Sequence, residues 1–195
     1  MDAARRLFAE QGYSAVSMRQ IAEGAGVNPA MIAYYFGGKP GLYEAVLEET
    51  LSPFLAKLRS LAEQSRGDIG DIRGVLEGYT RTLAGNPWIP QLLVREVLFE
   101  SGRFRERFVR QFASRGGNLL SRLVQHEIDA GQLRRDLDPA LTALSLIGMA
   151  LFPFISYPVA REVFGLEMND ALVQRLIEHH IRLFLQGAAA DKVRP

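Results

Sequence analysis

Cysteine is absent from all 195 residues, which excludes a disulfide framework and thiolate chemistry and suits a reducing, cytoplasmic compartment. A charge excess is absent too. There are 23 Lys and Arg against 22 Asp and Glu, a net charge of +1, and residues 1–50 hold four basic and six acidic side chains. Strong nonspecific attraction to a polyanion is therefore not expected, and any affinity for nucleic acid rests on a few placed donors and on duplication of the chain. No GxSxG elbow, Walker-type phosphate loop, HExxH pair or paired cysteines occur, and the acidic residues are scattered along polar faces. The chain is accordingly read as a non-enzyme with neither cofactor nor metal. No apolar run precedes a cleavage site near Met1, so no secretory signal is expected. Strand-like alternation, repeats and low-complexity tracts are missing as well. What remains is helical periodicity almost throughout, in a chain long enough for a small domain and a larger one.

The most informative segment is Ser17–Lys39, SMRQIAEGAGVNPAMIAYYFGGK. Ser17 stands three residues before Gln20, the spacing of a reciprocal capping box. A helix from Met18 to about Ala25 puts Ile21, Ala22 and Ala25 on one face, and small Ala22 precedes Gly26 by four residues, so a second helix can cross closely after a left-handed turn. Asn28 suits the N-cap and Pro29 the first helical position. The second helix then runs Pro29–Phe36 and stops at Gly37-Gly38. Its eight residues make roughly 12 Å of rod, too short to hold its shape alone. Val27, Ile32 and Phe36 are spaced to face inward, toward Leu7, Phe8, Leu42 and Val46. Ala30, Met31, Ala33, Tyr34 and Tyr35 are left outside, and adjacent exposed tyrosines are unusual on a merely solvated surface. A phenol hydroxyl can bond a phosphate oxygen, while Ala and Met can approach thymine methyls. Lys39 opens the next helix, placed to neutralise a phosphate. Few groups here suit base readout by hydrogen bonding, which favours apolar contact and DNA shape.

Residues 3–48 resemble the N-terminal domain of TetR-type (TetR/AcrR) transcriptional regulators, through the AxxLFxxxGY segment, the SMRQIAxxAGV helix and turn, and the YYFxxKxGL run. The resemblance covers the first quarter of the chain. It implies an all-α protein: a three-helix helix-turn-helix domain over 1–48, then a helical effector-binding and dimerisation domain over 49–195. It further implies a homodimer on a palindromic double-stranded operator, usually a repressor released by a small molecule. Carried over by position, Ser17, Met18 and Arg19 touch DNA from the first helix of the motif. Asn28, Ala30, Met31, Ala33, Tyr34 and Tyr35 do so from the second, with Lys39 on phosphate. Tyr35 stands where the family usually has His, which changes one phosphate donor. Members also commonly carry a basic arm before the Leu7-Phe8 pair, where this chain has only a few residues.

Farther on, the periodicity predicts a helix from Leu42 to about Ser65, kinked near Glu49 by Pro53, and a break at Arg66-Gly67-Asp68. Helices at Ile69–Ala84, around Pro90–Ser101 and at Phe104–Ala130 follow, the last with a possible bend at Gly116-Gly117. Asp138-Pro139 then starts another helix. From Pro139 to Ala160 there are 22 residues without a charge, long enough to raise a membrane span. Pro153 and Pro158 shorten the helix to roughly 15 residues, fewer than a span needs, and no membrane partner is expected. The favoured reading is a helix buried in its own domain and against a second copy, with Leu144, Ile147, Leu151 and Ile155 meeting Leu176, His180 and Phe184 of a last helix at about Asn169–Gln186.

A small-molecule effector, hydrophobic or aromatic, is expected at Trp88, Leu92, Arg95, Glu96, Phe99, Phe112, Phe152 and Tyr157, since pockets are mostly apolar with a few polar anchors. The same aromatics could instead simply fill a core. Two other readings compete with the regulator: a helical protein-interaction adaptor that uses Tyr34 and Tyr35 without DNA, and a membrane-associated regulator through 139–160.

Overall fold

Side-chain caps start the helices at Met18, Pro29, Pro139 and Asp170 in the computed structural model, which describes residues 1–64, 70–98 and 103–189. The described residues are all-α: α1 Asp2–Ala15, α2 Met18–Ala25, α3 Pro29–Phe36, α4 Lys39–Gln64, α5 Gly70–Gly85, α6 Trp88–Leu92, α7 Arg103–Phe108, α8 Ser114–Asp129, α9 Pro139–Ile155, α10 Tyr157–Phe164 and α11 Asp170–Ala188. Wide π-helical turns follow α6 at Leu93–Leu98 and α7 at Val109–Ala113. The chain divides into two compact units. One comprises Met1–Pro53 with Pro87–Phe108, the other Phe54–Asn86 with Val109–Pro195.

In the first unit Phe8, Val16, Ile21, Ala22, Ile32, Leu42, Tyr43 and Val46 form a small buried core. Phe8 meets the Tyr43 ring edge-on at 4.9 Å, and Tyr13 lies 4.8 Å from Tyr43. Tyr13 reaches this cluster because α1 breaks at Gly12, whose φ of 79° and ψ of 165° suit only glycine. The helix predicted around Pro90 starts two residues earlier, at Trp88; Trp88 and Ile89 are buried and α6 packs on α1.

The second unit has one core, built from Leu58 of α4, Ile72, Val75 and Leu76 of α5, Leu119, Leu120, Leu123, Val124 and Ile128 of α8, Ala143, Leu146 and Ala150 of α9, and Val173, Ile177, Ile181 and Phe184 of α11. Asp138 accepts hydrogen bonds from the Ala140 and Leu141 N–H groups at 2.8 and 2.9 Å, and Asn169 accepts from Leu172 N–H at 2.9 Å. Replacing Asp138 with Ala is expected to cost about 1 kcal/mol, read as a lower urea midpoint with an unchanged m-value. An unshifted midpoint would show that packing alone starts α9.

The uncharged segment is two helices rather than one. α9 runs 17 residues and includes Pro153, so it is longer than the spacing of prolines predicts, and Ser156 caps its end. Pro158 sits in the first turn of α10, and the two axes differ by 71°. Among the described residues no single helix is long and apolar enough to cross a membrane. The bend expected at Gly116-Gly117 is not where the 103–129 run departs from α-geometry; that departure lies at Val109–Ala113. Gly131 (φ 71°) closes the turn after α8, as expected. Pro53 lies within α4, while the predicted break at Arg66-Gly67-Asp68 falls outside the described residues.

His180 is buried and its Nδ1 lacks a hydrogen-bond partner. Burial, then the neighbouring His179, holds the imidazole below its ordinary range. The folded chain therefore keeps His180 neutral where the unfolded chain, titrating near pH 6.5, takes up a proton. By linkage, stability falls as pH drops below about 6.5. Urea midpoints at pH 7.5 and 5.5 are expected to differ less in His180→Gln than in the native chain.

Candidate nucleic-acid interface

α2 and α3 are held in their mutual geometry by caps that the sequence dictates. Ser17 N–H donates to Gln20 Oε1 at 2.8 Å and Gln20 N–H to Ser17 Oγ at 3.2 Å, closing the capping box. Gly26 adopts the left-handed conformation (φ 65°) and its N–H caps α2. Asn28 Oδ1 accepts from Ala30 N–H at 2.9 Å, with Pro29 at the first helical position. Gly37 (φ 69°) ends α3. Ile21, Ala22 and Ile32 point inward and Phe36 is half-buried. Ala25 and Val27 do not share that face: both are exposed. Gly26 redirects the chain before Val27, so helical spacing no longer relates it to Ile32.

The outer face of α3 is as expected from spacing. Tyr34 is 83 % exposed, Tyr35 69 % and Met31 48 %, and Asn28, Ala30 and Ala33 are exposed too. The two phenol rings meet edge to face at 5.2 Å, so each limits the other's rotation. On α2, Ser17 and Arg19 are exposed and Met18 half-buried. Lys39 is half-buried; its ammonium lies 4.4 Å from the Tyr13 ring centroid and 3.4 Å from the Ser14 carbonyl oxygen. It thus ties the start of α4 to the end of α1 beside the tyrosines. Gly12 and Tyr13 are the last two residues of the AxxLFxxxGY segment, and the structure gives them this role: a glycine of positive φ followed by an aromatic.

Gly41 stands in the YYFxxKxGL run, but its structural role does not follow from the sequence alone. A Cβ there would overlap the Phe36 carbonyl oxygen and stand 2.9 Å from its carbonyl carbon. Only glycine lets the first turn of α4 pass so close to the end of α3. Arg5 adds a second tie, donating to Glu49 of α4 at 2.8 Å.

The expected effector residues are divided between the two units. Trp88 is buried in the first unit with its indole N–H lacking a partner. Leu92, Arg95 and Glu96 lie along α6 and the π turns after it, and Phe99 lies outside the described residues. Phe112 is buried in the second unit. Phe152, by contrast, is 65 % exposed, because it falls on the side of α9 opposite Leu146 and Ala150. Tyr157 is half-buried, and its hydroxyl accepts from Met168 N–H at 3.0 Å. Of the expected interface residues, Leu144 is 63 % exposed and Ile147, Leu151, Ile155 and Leu176 are half-buried, but His180 and Phe184 are buried within their own unit. No cluster of metal-ligating side chains occurs among the described residues.

Two capped helices joined by a left-handed glycine, with a short exposed second helix, define a helix-turn-helix DNA-binding protein. The family model described as bacterial regulatory proteins, tetR family, matches residues 1–46, and one described as tetracyclin repressor-like, C-terminal domain, matches residues 70–183. The chain belongs to the TetR family of transcriptional regulators. It is similar to the probable HTH-type transcriptional regulator YttP of Bacillus subtilis (strain 168), 23 % identical over 96 % of this chain and 90 % of that protein. The likeness to BetI of Rhizobium meliloti (strain 1021) is higher, 46 %, but covers 30 % of this chain and 27 % of BetI. Among solved structures, a TetR/AcrR regulator from Thermobifida fusca YX-ER1 superposes with TM-score 0.69 at 27 % identity, covering 95 % and 94 % of the two chains. A SmeT–triclosan complex gives TM-score 0.78 at 21 % identity, covering 98 % and 90 %. FadR of Bacillus subtilis with stearoyl-CoA gives 0.72 at 20 %, covering 94 % of each.

Proposed function

We propose that this regulator is a repressor that grips a palindromic operator as a homodimer and is released by a small hydrophobic or aromatic effector. The observation that carries the reading is the pair of exposed phenols, Tyr34 and Tyr35, on a helix capped at both ends. Each copy presents α3 to one half-site, with Ser17 and Arg19 of α2 and Lys39 alongside. Half-sites one helical turn apart require the two α3 helices to stand about 34–36 Å from each other. An effector that prefers a conformer with another spacing lowers operator affinity by its differential affinity and no more. α4 carries the chain from the first unit into the second after Pro53, and Pro53, which removes one bond of its ladder, is the joint in this mechanism. An effector of that class is in keeping with the molecules held by SmeT and FadR in their structures, triclosan and stearoyl-CoA.

The homodimer is supported by apolar surface without a partner in the single chain. Leu141, Leu144 and Phe152 of α9, and Val159, Val163 and Phe164 of α10, are exposed, and α10 buries no residue at all. A surface of this kind is the mark of an association site, and here it continues from one helix to the next. On α11 His179 and Leu183 are among the outward residues while His180 and Phe184 are not, so the interface is proposed one position away from the spacing-based choice. Leu144→Glu is expected to give monomers at micromolar concentration, by light scattering, with an unchanged helical circular dichroism spectrum. Persistence of the dimer in that variant would move the interface elsewhere.

The direct test is a gel shift with the DNA upstream of the chain's own gene, with and without saturating aromatic and acyl compounds. A shift relieved by one compound class supports the reading. Specific binding untouched by every such compound would remove the effector. No binding to any duplex, with capture of a protein partner by Tyr34 and Tyr35, would favour the adaptor.

A further inference from the structure

Base readout by hydrogen bonding needs polar side chains free to face the groove, and this motif has consumed most of its own. Gln20 turns its Oε1 back on Ser17, accepting from both the backbone N–H at 2.8 Å and the hydroxyl at 2.7 Å. Ser17 Oγ in turn accepts from Gln20 N–H. Asn28 points its Oδ1 at Ala30 N–H, so its two amide atoms cannot lie side by side on an adenine edge, as bidentate readout demands. Lys39 lies over Tyr13 and reaches Ser14. Within α3 itself, PAMIAYYF, the sequence holds no amide, carboxylate, ammonium or guanidinium. The exposed surface between the caps is Pro29, Ala30, Met31 and Ala33, flanked by the two phenols.

We infer that the operator half-site is read chiefly through thymine C5-methyl groups, packed against Met31 with Ala30 and Ala33 admitting the close approach. This rests on α3 being the recognition helix. The major groove distinguishes thymine by that methyl, which is its one apolar mark. Met31 is unbranched and polarizable, able to mould itself to a methyl. The alanines leave room for the base edge where a longer side chain would hold the helix off. The tyrosine hydroxyls go to the phosphates and set the register without reading sequence. Arg19, exposed on α2, is the competing reader, since a guanidinium can pair with guanine O6 and N7.

The test uses the full chain and a random-sequence duplex library. Duplexes selected over several rounds are resynthesised in three forms: native, with each conserved thymine replaced by deoxyuridine, and with each conserved guanine replaced by 7-deazaguanine. Deoxyuridine keeps every hydrogen-bonding group and lacks only the methyl. A lost methyl contact is expected to weaken binding about four-fold per half-site, or roughly fifteen-fold for both, from the usual value for one buried methylene. Met31→Ala should bring the thymine-to-uracil ratio close to one, whereas Met31→Leu should keep most of it. A merely structural role for Met31 would weaken all duplexes alike and leave the ratio unchanged. If duplexes are selected but bind equally with uracil, methyl readout is overturned while the regulator reading stands. Loss confined to the 7-deazaguanine form would overturn it in favour of Arg19. If no duplex is selected at all, the proposed function fails and takes this inference with it.

Discussion

Gly41→Ala is expected to lower the melting temperature of the chain and to abolish operator binding at concentrations that saturate the native protein. Ordinarily, glycine to alanine inside a helix stabilises by about 0.5–1 kcal/mol, because the unfolded chain loses freedom. Gly78 of α5, with nothing within 4 Å of a built Cβ, should behave in that ordinary way. At Gly41 the sign reverses, since the new methyl would overlap the Phe36 carbonyl oxygen and backbone cannot yield as a flexible side chain does. Overpacking of this severity costs about 3 kcal/mol, which outweighs the entropic gain and corresponds to a fall of roughly 6–10 °C. Relief requires α3 to move away from α4, and that movement displaces Tyr34, Tyr35 and Lys39 together. Melting curves of the two variants side by side decide it. Equal stability of Gly41→Ala and Gly78→Ala would mean that the close crossing does not constrain the motif.

Replacing both Tyr34 and Tyr35 with Ala should separate binding from folding. Their exposure of 83 % and 69 % leaves little packing to lose, so the melting temperature is expected to stay within about 2 °C, a shift of under 1 kcal/mol. A hydrogen bond to a charged group contributes about 1.5 kcal/mol. With two rings in each of two copies, even half the summed effect lowers operator affinity by on the order of 100-fold. The double Phe variant keeps the ring-on-ring contact and removes only the hydroxyls, so it should lose nearly as much if the phosphates are the partners. Fluorescence anisotropy with one labelled operator measures all three proteins. Undiminished affinity in the Ala variant would remove α3 from the interface.

Local chemistry made much of this fold legible. Ser17 with Gln20, Asn28 with Pro29, Asp138 with Pro139, and Asn169 each announce a helix start that needs only a few neighbouring residues to form, and the structure begins α2, α3, α9 and α11 at those points. The exposed face of α3 was legible for the same reason: eight residues offer few alternatives once Ile32 is turned inward. Aromatic content, by contrast, marks cores and pockets alike, so it does not tell which of these side chains fold inward. Phe112 proves buried while Phe152 faces out.

Sequence by itself thus determined the all-helical class, the two caps of the recognition motif and the identity of the side chains it presents, since each depends on contacts within one turn or two. Tertiary structure decided what periodicity leaves degenerate. Along α11 apolar residues cover so wide an arc that either neighbouring face could pack, and the second unit's core takes Ile177, Ile181 and Phe184 and leaves Leu183 outside. It likewise decided that Gly12 breaks α1 and that Gly41 admits no side chain. Both constraints come from groups brought close by folding, Tyr13 against Tyr43 in one case and the Phe36 carbonyl in the other.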